Sequence, residues 1–308
     1  MLHHFRLIIV LLIGMISSSN VFAAYLEVQK VTDDVYAIVG AIGQRSPGNL
    51  GNNATFGFIV TNEGVVLIDA GGSDKGAQQI HKAIQTITDK PVALVVNTGG
   101  QDQRWIGNGY FKKLGARIIA AKATVLDQQK RVNDQLSLLD ILVGKQGMAG
   151  TRPVYADETF DTRLELTIGE VQLQLHNPGT AHTPGDTYVW LPLQRVVFSG
   201  DIVYVERMLA VGSVSKTKGW IKSFEAMAAL KPTYVVPGHG HVSDLKQARA
   251  DTYDYLVMLR QGVTGLMEHG LGLESVSAID QSKFSYLKFY EDLKGRNAHQ
   301  AFQEMEWE

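Results

Sequence analysis

Three residues that can ligate a metal or transfer a proton lie in loops that directly follow predicted strands. His182 lies in "GTAHTPGDTYVW", Asp201 ends "VVFSGD", and His239 lies in "VVPGHGH". They are 19 and 38 residues apart. A scaffold collects such strand-end loops at one place, and imidazole and carboxylate groups are the usual ligands of zinc. The three residues therefore predict one metal site, with zinc as the expected ion.

A fourth strand-end loop, residues 97–108, reads "NTGGQDQRWIGN" and contains no histidine. It follows "PVALVV", a continuous apolar run typical of a strand buried on both faces. Its charged and amide side chains include Gln101, Asp102, Gln103 and Arg104. A guanidinium has a fixed positive charge and pairs bidentately with a carboxylate. Arg104 paired with Asp201 would therefore supply a positive charge at this site.

The order of predicted elements indicates two halves of similar design within one domain, residues 24–308. Each half has several β-rich segments followed by helical ones, and residues 62–64 are typical of a hairpin turn. A helix is predicted after Ser73, which is a good N-cap residue. Residues 144–153 are the expected join between the halves, and the Gly-rich residues 46–53 are expected to form a loop over the site. The pattern predicts an α/β protein with two packed sheets and helices outside.

Composition limits the kinds of molecule that the protein could bind. The chain has 308 residues, 45% apolar content and a net charge of −2. This apolar content provides for a large core, and the balanced charge argues against nucleic acid as a partner.

The N-terminus predicts export. Residues 1–23 have one arginine in a short polar start, an apolar core over residues 7–16 and small residues at the end, which is the pattern of a secretory signal peptide. The apolar core is too short to span a bilayer, so no stable membrane span is expected after cleavage. The absence of cysteine is compatible with an oxidising compartment. We expect a periplasmic or secreted protein.

The sequence resembles the metallo-β-lactamase superfamily over essentially the whole mature chain. The matching segments are "GVVLIDAG", "VVNT", "GTAHTPGD", "VVFSGD" and "VVPGHG", in the family's order. This resemblance implies a four-layer αββα sandwich with a metal site at one edge. It also implies that Asp69, at the end of "GVVLID", holds the metal loop from below by hydrogen bonds.

The sequence departs from the family at the defining motif. Where the family has NTHxHxDHxxGN, residues 97–108 align without a gap, and the four expected ligands are replaced. The replacements are Gly99, Gln101, Gln103 and Arg104. The resemblance assigns the first ion to the first two lost histidines and His182, the second to the lost Asp, the last His and His239, and Asp201 to both. Each ion therefore keeps one terminal ligand and a shared carboxylate.

The loss of these ligands implies at most one divalent ion, with zinc expected, and leaves three outcomes open. One ion binds His182, Asp201 and His239, with Gln101 or Asp102 helping; or no ion binds and Arg104 takes its electrostatic place; or two ions bind through unexpected ligands.

Two classes of function remain. The first is an exported hydrolase that acts on a small ester, thioester or amide through metal-activated water, with Asp201, Arg104 and Asp102 as catalytic candidates. The second is a non-catalytic relative that binds a small molecule or a protein partner in the former active-site cleft, where Gln101, Gln103 and His241 are the candidate contacts. A third chemistry, ranked below both, has Arg104 orient an anionic substrate and a histidine act as general base.

Overall fold

The computed structural model describes residues 26–308, so the predicted signal peptide, residues 1–23, lies outside the described residues. The strands are β1 (Glu27–Thr32), β2 (Val35–Val39), β3 (Thr55–Thr61), β4 (Gly64–Ile68), β5 (Val92–Asn97), β6 (Arg117–Ala121), β7 (Glu158–Phe160), β8 (Arg163–Ile168), β9 (Val171–Gly179), β10 (Asp186–Leu191), β11 (Val196–Phe198) and β12 (Tyr234–Val236). The helices are α1 (Asp74–Gln85), α2 (Asp102–Trp105), α3 (Asn108–Lys113), α4 (Lys122–Leu142), α5 (Gly144–Met148), α6 (Thr217–Ala228), α7 (Leu245–Ala248), α8 (Asp254–Glu268) and α9 (Tyr290–Met305). Within residues 26–308, no helix is both long and apolar enough to cross a membrane.

The strands form two sheets. The first has seven strands in the order β1 to β7, antiparallel from β1 to β4 and parallel from β4 to β7. The second has five strands in the order β12-β11-β10-β9-β8, in which only β11 and β12 are parallel. The predicted turn at residues 62–64 joins β3 to β4.

The predicted join between the two halves is wrong in position. Residues 144–148 form α5, and β7, which comes later, still belongs to the first sheet. The chain passes to the second sheet between Phe160 and Arg163. The glycines of this segment do not mark a linker, because Gly147 is buried.

The core lies between the two sheets. Buried side chains of β3 to β6 face those of β9 to β12 in one cluster, which includes Ile59, Leu94 and Leu175. The sheets approach closely where Phe198 lies over Gly57, since a Cβ at Gly57 would come within 2.1 Å of the Phe198 ring. Close packing of this kind holds the two sheets in one relative position and so fixes the positions of the loops at their edge.

Helices cover both outer faces and complete the four layers. On the first sheet, α1 packs with its apolar side, including Ile80 and Ile84, and begins where the Ser73 hydroxyl accepts a hydrogen bond from the Gly76 N–H. On the second sheet, α6, α8 and α9 contribute Trp220, Leu256 and other side chains to a separate cluster. The predicted αββα sandwich is confirmed.

The parallel strands determine where functional residues gather. β4 and β5 run parallel in one sheet, as do β11 and β12 in the other. Loops that leave the carboxyl ends of parallel strands meet at the same edge, which is where α/β proteins bind ligands. The loops after these four strands contain Asp69, residues 98–107, Asp201 and His239.

Candidate functional site

The structure brings the strand-end residues of both halves together. His239 Nε2 lies 3.2 Å from Asp201 Oδ1. The His239 ring stacks on Tyr204 with 4.5 Å between ring centroids, and the His182 ring lies 5.9 Å from the same tyrosine. His182, Asp201 and His239 therefore converge at one rim, as their spacing predicts.

The loop of residues 97–108 is closed by its own ends. The side-chain amides of Asn97 and Asn108 donate to each other's oxygens at 3.0 and 2.8 Å. The carboxylate of Asp69 accepts from the N–H and the hydroxyl of Thr98, both at 2.7 Å. A Cβ at position 107 would come within 2.1 Å of the Ala70 oxygen, so this approach requires Gly107. These contacts fix the path of the loop without a metal ligand.

Arg104 is the buried centre of the site. Its side chain is fully buried, and the five guanidinium N–H groups all have acceptors. Nε and Nη2 bind the two oxygens of Asp201 at 3.2 and 2.6 Å. Nη1 donates to Asp69 Oδ2 and to the Thr55 carbonyl, both at 3.0 Å, and Nη2 also donates to the Gly238 carbonyl at 2.8 Å. One cation thus joins segments of both sheets.

The electrostatics follow from one buried cation shared by two carboxylates. Burial would raise the pKa of Asp201, but the Arg104 guanidinium and the neighbouring His239 and His182 together outweigh burial and hold that pKa well below its usual value. Burial raises the pKa of Asp69 to about 6, because its share of the same cation is smaller. Burial would lower the pKa of Arg104, but the two carboxylates outweigh that effect and raise it. The Arg104–Asp201 pair is therefore ionised at neutral pH.

The two histidines are neutral at physiological pH. Burial lowers the pKa of His182 to about 4 and that of His239 to about 3. The Nδ1 atom of each ring is buried without a hydrogen-bond partner among residues 26–308. A general base works best with a pKa near the operating pH, so neither imidazole is tuned for that role.

The candidate residues next to Arg104 divide into two groups. Gln101 and Gln103 line a cavity beside the site, and Gln103 Nε2 reaches Asp201 Oδ2 at 3.5 Å. Asp102 is fully buried and does not line that cavity. Its Oδ1 accepts from Arg45 Nε at 3.1 Å. Asp102 neutralises an arginine, and its position does not support a catalytic role.

His241, a candidate cleft residue in the sequence, lies elsewhere. Its Nδ1 is 2.8 Å from Glu206 Oε2, its Nε2 is 3.4 Å from Glu27, and its side chain is 44% exposed. It is absent from the cavity wall. His239 turns inward and His241 turns outward because Gly240 between them adopts a positive φ of 96°.

Gly99, the position of the first lost histidine, is packed against a carboxyl group. A Cβ at Gly99 would lie 2.7 Å from Asp186 Oδ1, and Asp186 itself is held by Thr183, whose N–H donates to it at 2.8 Å. Burial raises the pKa of Asp186 to about 8, with the nearby Asp201 as a further cause. At Gly100 a Cβ would lie 1.9 Å from Asp127 on α4. A side chain at residue 99 or 100 would therefore require Asp186 or Asp127 to move.

A cavity of about 530 Å³ opens beside these residues. This volume falls within the range of small-molecule sites. The wall includes His182, His239 and Tyr204. Asn53, from the loop of residues 46–53 that was expected to cover the site, also lines it, as do Gln44 and Arg45 just before that loop. Arg104 is fully buried and does not line the cavity.

Sequence comparisons identify the family. A sequence model of the metallo-beta-lactamase superfamily matches residues 51–239, so the chain belongs to that superfamily. It is similar to the metallo-beta-lactamase type 2 of Elizabethkingia meningoseptica, with 26% identity over 191 residues that cover 61% of this chain and 69% of the relative. The corresponding enzyme of Bacteroides fragilis is 23% identical over 224 residues, which cover 70% of this chain and 79% of the relative.

Solved structures agree on the fold. A metallo-beta-lactamase from Pontibacter korlensis superposes with a TM-score of 0.60 at 22% identity and covers 75% of this chain and 99% of that one. A stereoselective inverting sec-alkylsulfatase from Pseudomonas sp. gives a TM-score of 0.69 at 16% identity and covers 90% of this chain and 50% of that one.

The donor set does not fit the metal pair that this family's chemistry implies. Both oxygens of Asp201 already accept hydrogen bonds from Arg104, and a divalent cation on Asp201 would lie beside a buried guanidinium of like sign. Among residues 26–308, no group of three or more His, Cys, Asp or Glu side chains is arranged to hold an ion. A histidine at residue 99 would have to displace the Asp186 carboxyl group, which Thr183 holds in place.

Sequence reasoning missed all four arginines of the cavity wall: Arg45, Arg131, Arg207 and Arg296. None of them belongs to a recognisable motif, and an arginine outside a motif is usually a surface residue. Only the fold places the four around one cavity.

Proposed function

We propose that this protein is a metal-independent ligand-binding member of the metallo-beta-lactamase superfamily, which binds a small molecule in the former active-site cleft. The observation that carries the proposal is Arg104. Its buried guanidinium pairs with Asp201, the carboxylate that the resemblance assigns to both metal ions, and all its donors are used. With a guanidinium in the place of the metal ions, the site lacks the Lewis acid that activates water in this family.

Unpaired polar atoms support binding in the cleft. Seven buried side-chain atoms have no hydrogen-bond partner among the described residues. Four of them belong to residues of the cavity wall: Asn53, His182, Arg207 and His239. Buried polar groups without partners are rare and costly, so their concentration here favours a bound polar ligand.

A hydrolysis assay tests the proposal. The mature chain is assayed on nitrophenyl acetate, a thioester and a β-lactam, with zinc and with chelator, beside the variant Asp201→Ala. We expect no zinc-dependent turnover in either protein. Turnover that needs zinc and is lost in Asp201→Ala would overturn the proposal.

A second candidate is a hydrolase with one ion at His182, Asp201 and His239. It is favoured by the two neutral imidazoles with unpaired nitrogens, since neutral imidazole is the metal-binding form. Calorimetric titration with zinc separates the candidates. Stoichiometric binding that is lost in His239→Ala, together with zinc-dependent turnover in the hydrolysis assay, would favour the single-ion hydrolase.

We further propose that the protein is exported, because residues 1–23 have the pattern of a signal peptide. The test is N-terminal sequencing of the protein from the periplasm and medium of a bacterial host. Cleavage after Ala23 or Ala24 is expected, and an intact Met1 on a membrane-bound product would contradict export with cleavage.

A further inference from the structure

Arg207 is a largely buried cation without an acidic partner. Its Nη1 donates to the Ile42 carbonyl at 2.9 Å, and its Nε is buried without any partner. Within residues 26–308, Nη2 makes no hydrogen bond and no carboxylate lies within ion-pair distance of the guanidinium. A buried charge is usually paired, and truly unpaired ones are costly. Because Arg207 also lines the cavity, a ligand is the natural counter-ion.

The other cations of the cavity wall differ from Arg207. The wall contains four arginines, Arg45, Arg131, Arg207 and Arg296, and one carboxylate, Asp292. Asp102 neutralises Arg45, and Asp127 neutralises Arg131. Arg296 is exposed to solvent, which screens its charge. The positive potential inside the cavity therefore comes chiefly from Arg207.

The backbone under Arg207 is held in an uncommon conformation. Phe289 has a positive φ of 63°, which is unfavourable for a bulky side chain. This conformation places its ring 5.2 Å below the Arg207 guanidinium carbon. Strain of this kind persists where the surrounding structure imposes it and is common at ligand sites. The ring and the Ile42 carbonyl fix the guanidinium in place.

The rest of the cavity wall is partly apolar. Leu138, Ala210, Val214, Phe289 and Leu293 line it together with the ring of Tyr204. These side chains would cover a hydrocarbon body and could not bind a bare inorganic anion more tightly than solvent does. The cavity volume of about 530 Å³ exceeds what one anionic headgroup occupies.

We infer that the ligand is a small organic anion, a carboxylate or a sulfate ester, whose headgroup pairs with Arg207 and whose apolar body lies against Leu138, Val214 and Leu293. A guanidinium fork binds either headgroup bidentately. This inference rests on the proposed binding function of the cleft and does not require the absence of metal.

Calorimetric titration of the mature chain with four eight-carbon probes tests the inference. The probes are octanoate, octyl sulfate, octan-1-ol and octylammonium, all below their micellar concentrations. We expect both anions to bind at one site, and the alcohol and the cation to bind at least about tenfold more weakly. Acetate should bind far more weakly than octanoate, because each buried methylene contributes about fourfold in affinity. The better of the two anions identifies the headgroup.

Variants locate the site. Arg207→Met should weaken octanoate binding by about tenfold to a hundredfold, and Arg207→Lys, which keeps the charge but not the fork, should lie between. Arg163→Met, at an exposed arginine on β8, is the matched control and should bind like the parent. Since Arg207 has no acidic partner, we expect Arg207→Met to keep or raise the thermal midpoint of unfolding. Substitution of a residue with only a structural role would lower that midpoint.

Three results would overturn the inference: equal binding of octan-1-ol and octanoate, unchanged anion binding in Arg207→Met, and no anion binding by the parent. The first comparison uses only the parent chain, so it decides even where a variant fails to fold. Zinc-dependent turnover together with anion binding at Arg207 would overturn the proposed function and leave this inference standing. Anion binding lost with Arg207, in a chain without zinc-dependent turnover, supports both.

Discussion

At the scale of single residues, one buried guanidinium connects the two halves of the site. Arg104 pairs with Asp201 and Asp69, which come from different sheets of the sandwich. A buried ion pair seldom adds net stability over an apolar isostere, but removal of one partner leaves the other charge buried and unpaired. Arg104 is therefore expected to have a structural and electrostatic role.

Replacement of Arg104 by Met tests this role. We expect Arg104→Met to lower the free energy of unfolding by about 3–5 kcal/mol, because Asp201 and Asp69 would keep no buried cation. Urea denaturation at pH 7 measures the change. Arg163→Met, in which an exposed ion pair is removed, should cost less than about 1 kcal/mol. A loss in Arg104→Met as small as in this control would show that the buried pair has no such role.

At the scale of elements, the loop of residues 97–108 packs closely against the turn that leads into β10 and against α4. Asp186 occupies the space next to Gly99, and Asp127 of α4 occupies the space next to Gly100. The side chains of Gln128 and Gln135 on α4 donate to the carbonyls of Gly99 and Gly100 at 3.5 and 2.7 Å. The loop is therefore held by α4 and by the turn. We expect the ligands of the second ion to be easier to restore by substitution than the ligands of the first ion.

Two double variants that restore metal ligands test this difference between the two ion sites. The double variant Gln103→Asp, Arg104→His recreates the second ion's set with His239 and Asp201, and we expect it to bind about one zinc. The double variant Gly99→His, Gln101→His should gain no zinc, because a side chain at residue 99 meets Asp186 at 2.7 Å. Zinc titration with competing chelator measures both. Equal gains in the two variants would mean that the Gly99–Asp186 contact does not restrict the loop.

Asp186 also predicts a dependence of stability on pH. Its folded pKa is raised to about 8. A raised carboxyl pKa means that the folded state holds a proton that the unfolded state has lost, so stability falls as pH rises and levels off above about pH 8. The neutral histidines act in the opposite direction, but only below their unfolded pKa of about 6.5.

The variant Asp186→Asn isolates this contribution between pH 6.5 and 8.5. We expect urea midpoints of the parent to fall over this range and those of Asp186→Asn to fall less. Asp280→Asn, at an exposed carboxyl, serves as the control and should follow the parent. A parent and an Asp186→Asn variant with parallel profiles would contradict the raised pKa.

At the scale of the whole molecule, the fold was more accessible from sequence than the site. The apolar strands, the Ser73 cap and the turn at residues 62–64 report local physics, so two packed sheets with helices outside could be predicted from them. The four-layer αββα order came from the resemblance to the superfamily. The convergence of His182, Asp201 and His239 followed from strand-end positions. The positions of His241 and of the four wall arginines could not be predicted in this way. They depend on backbone geometry, such as the positive φ of Gly240, and on packing between segments that are distant in the sequence.

The most direct test of the central claim is the metal content of the purified mature chain, expressed with added zinc and then dialysed. Elemental analysis for zinc, iron and manganese would run beside the Gln103→Asp, Arg104→His variant as a positive control. The account predicts that the parent retains far less than one equivalent of any metal while the variant retains about one zinc. If the parent tightly held one or two equivalents of metal and Asp201→Ala lost them, that result would contradict the claim that Arg104 takes the place of the metal ions.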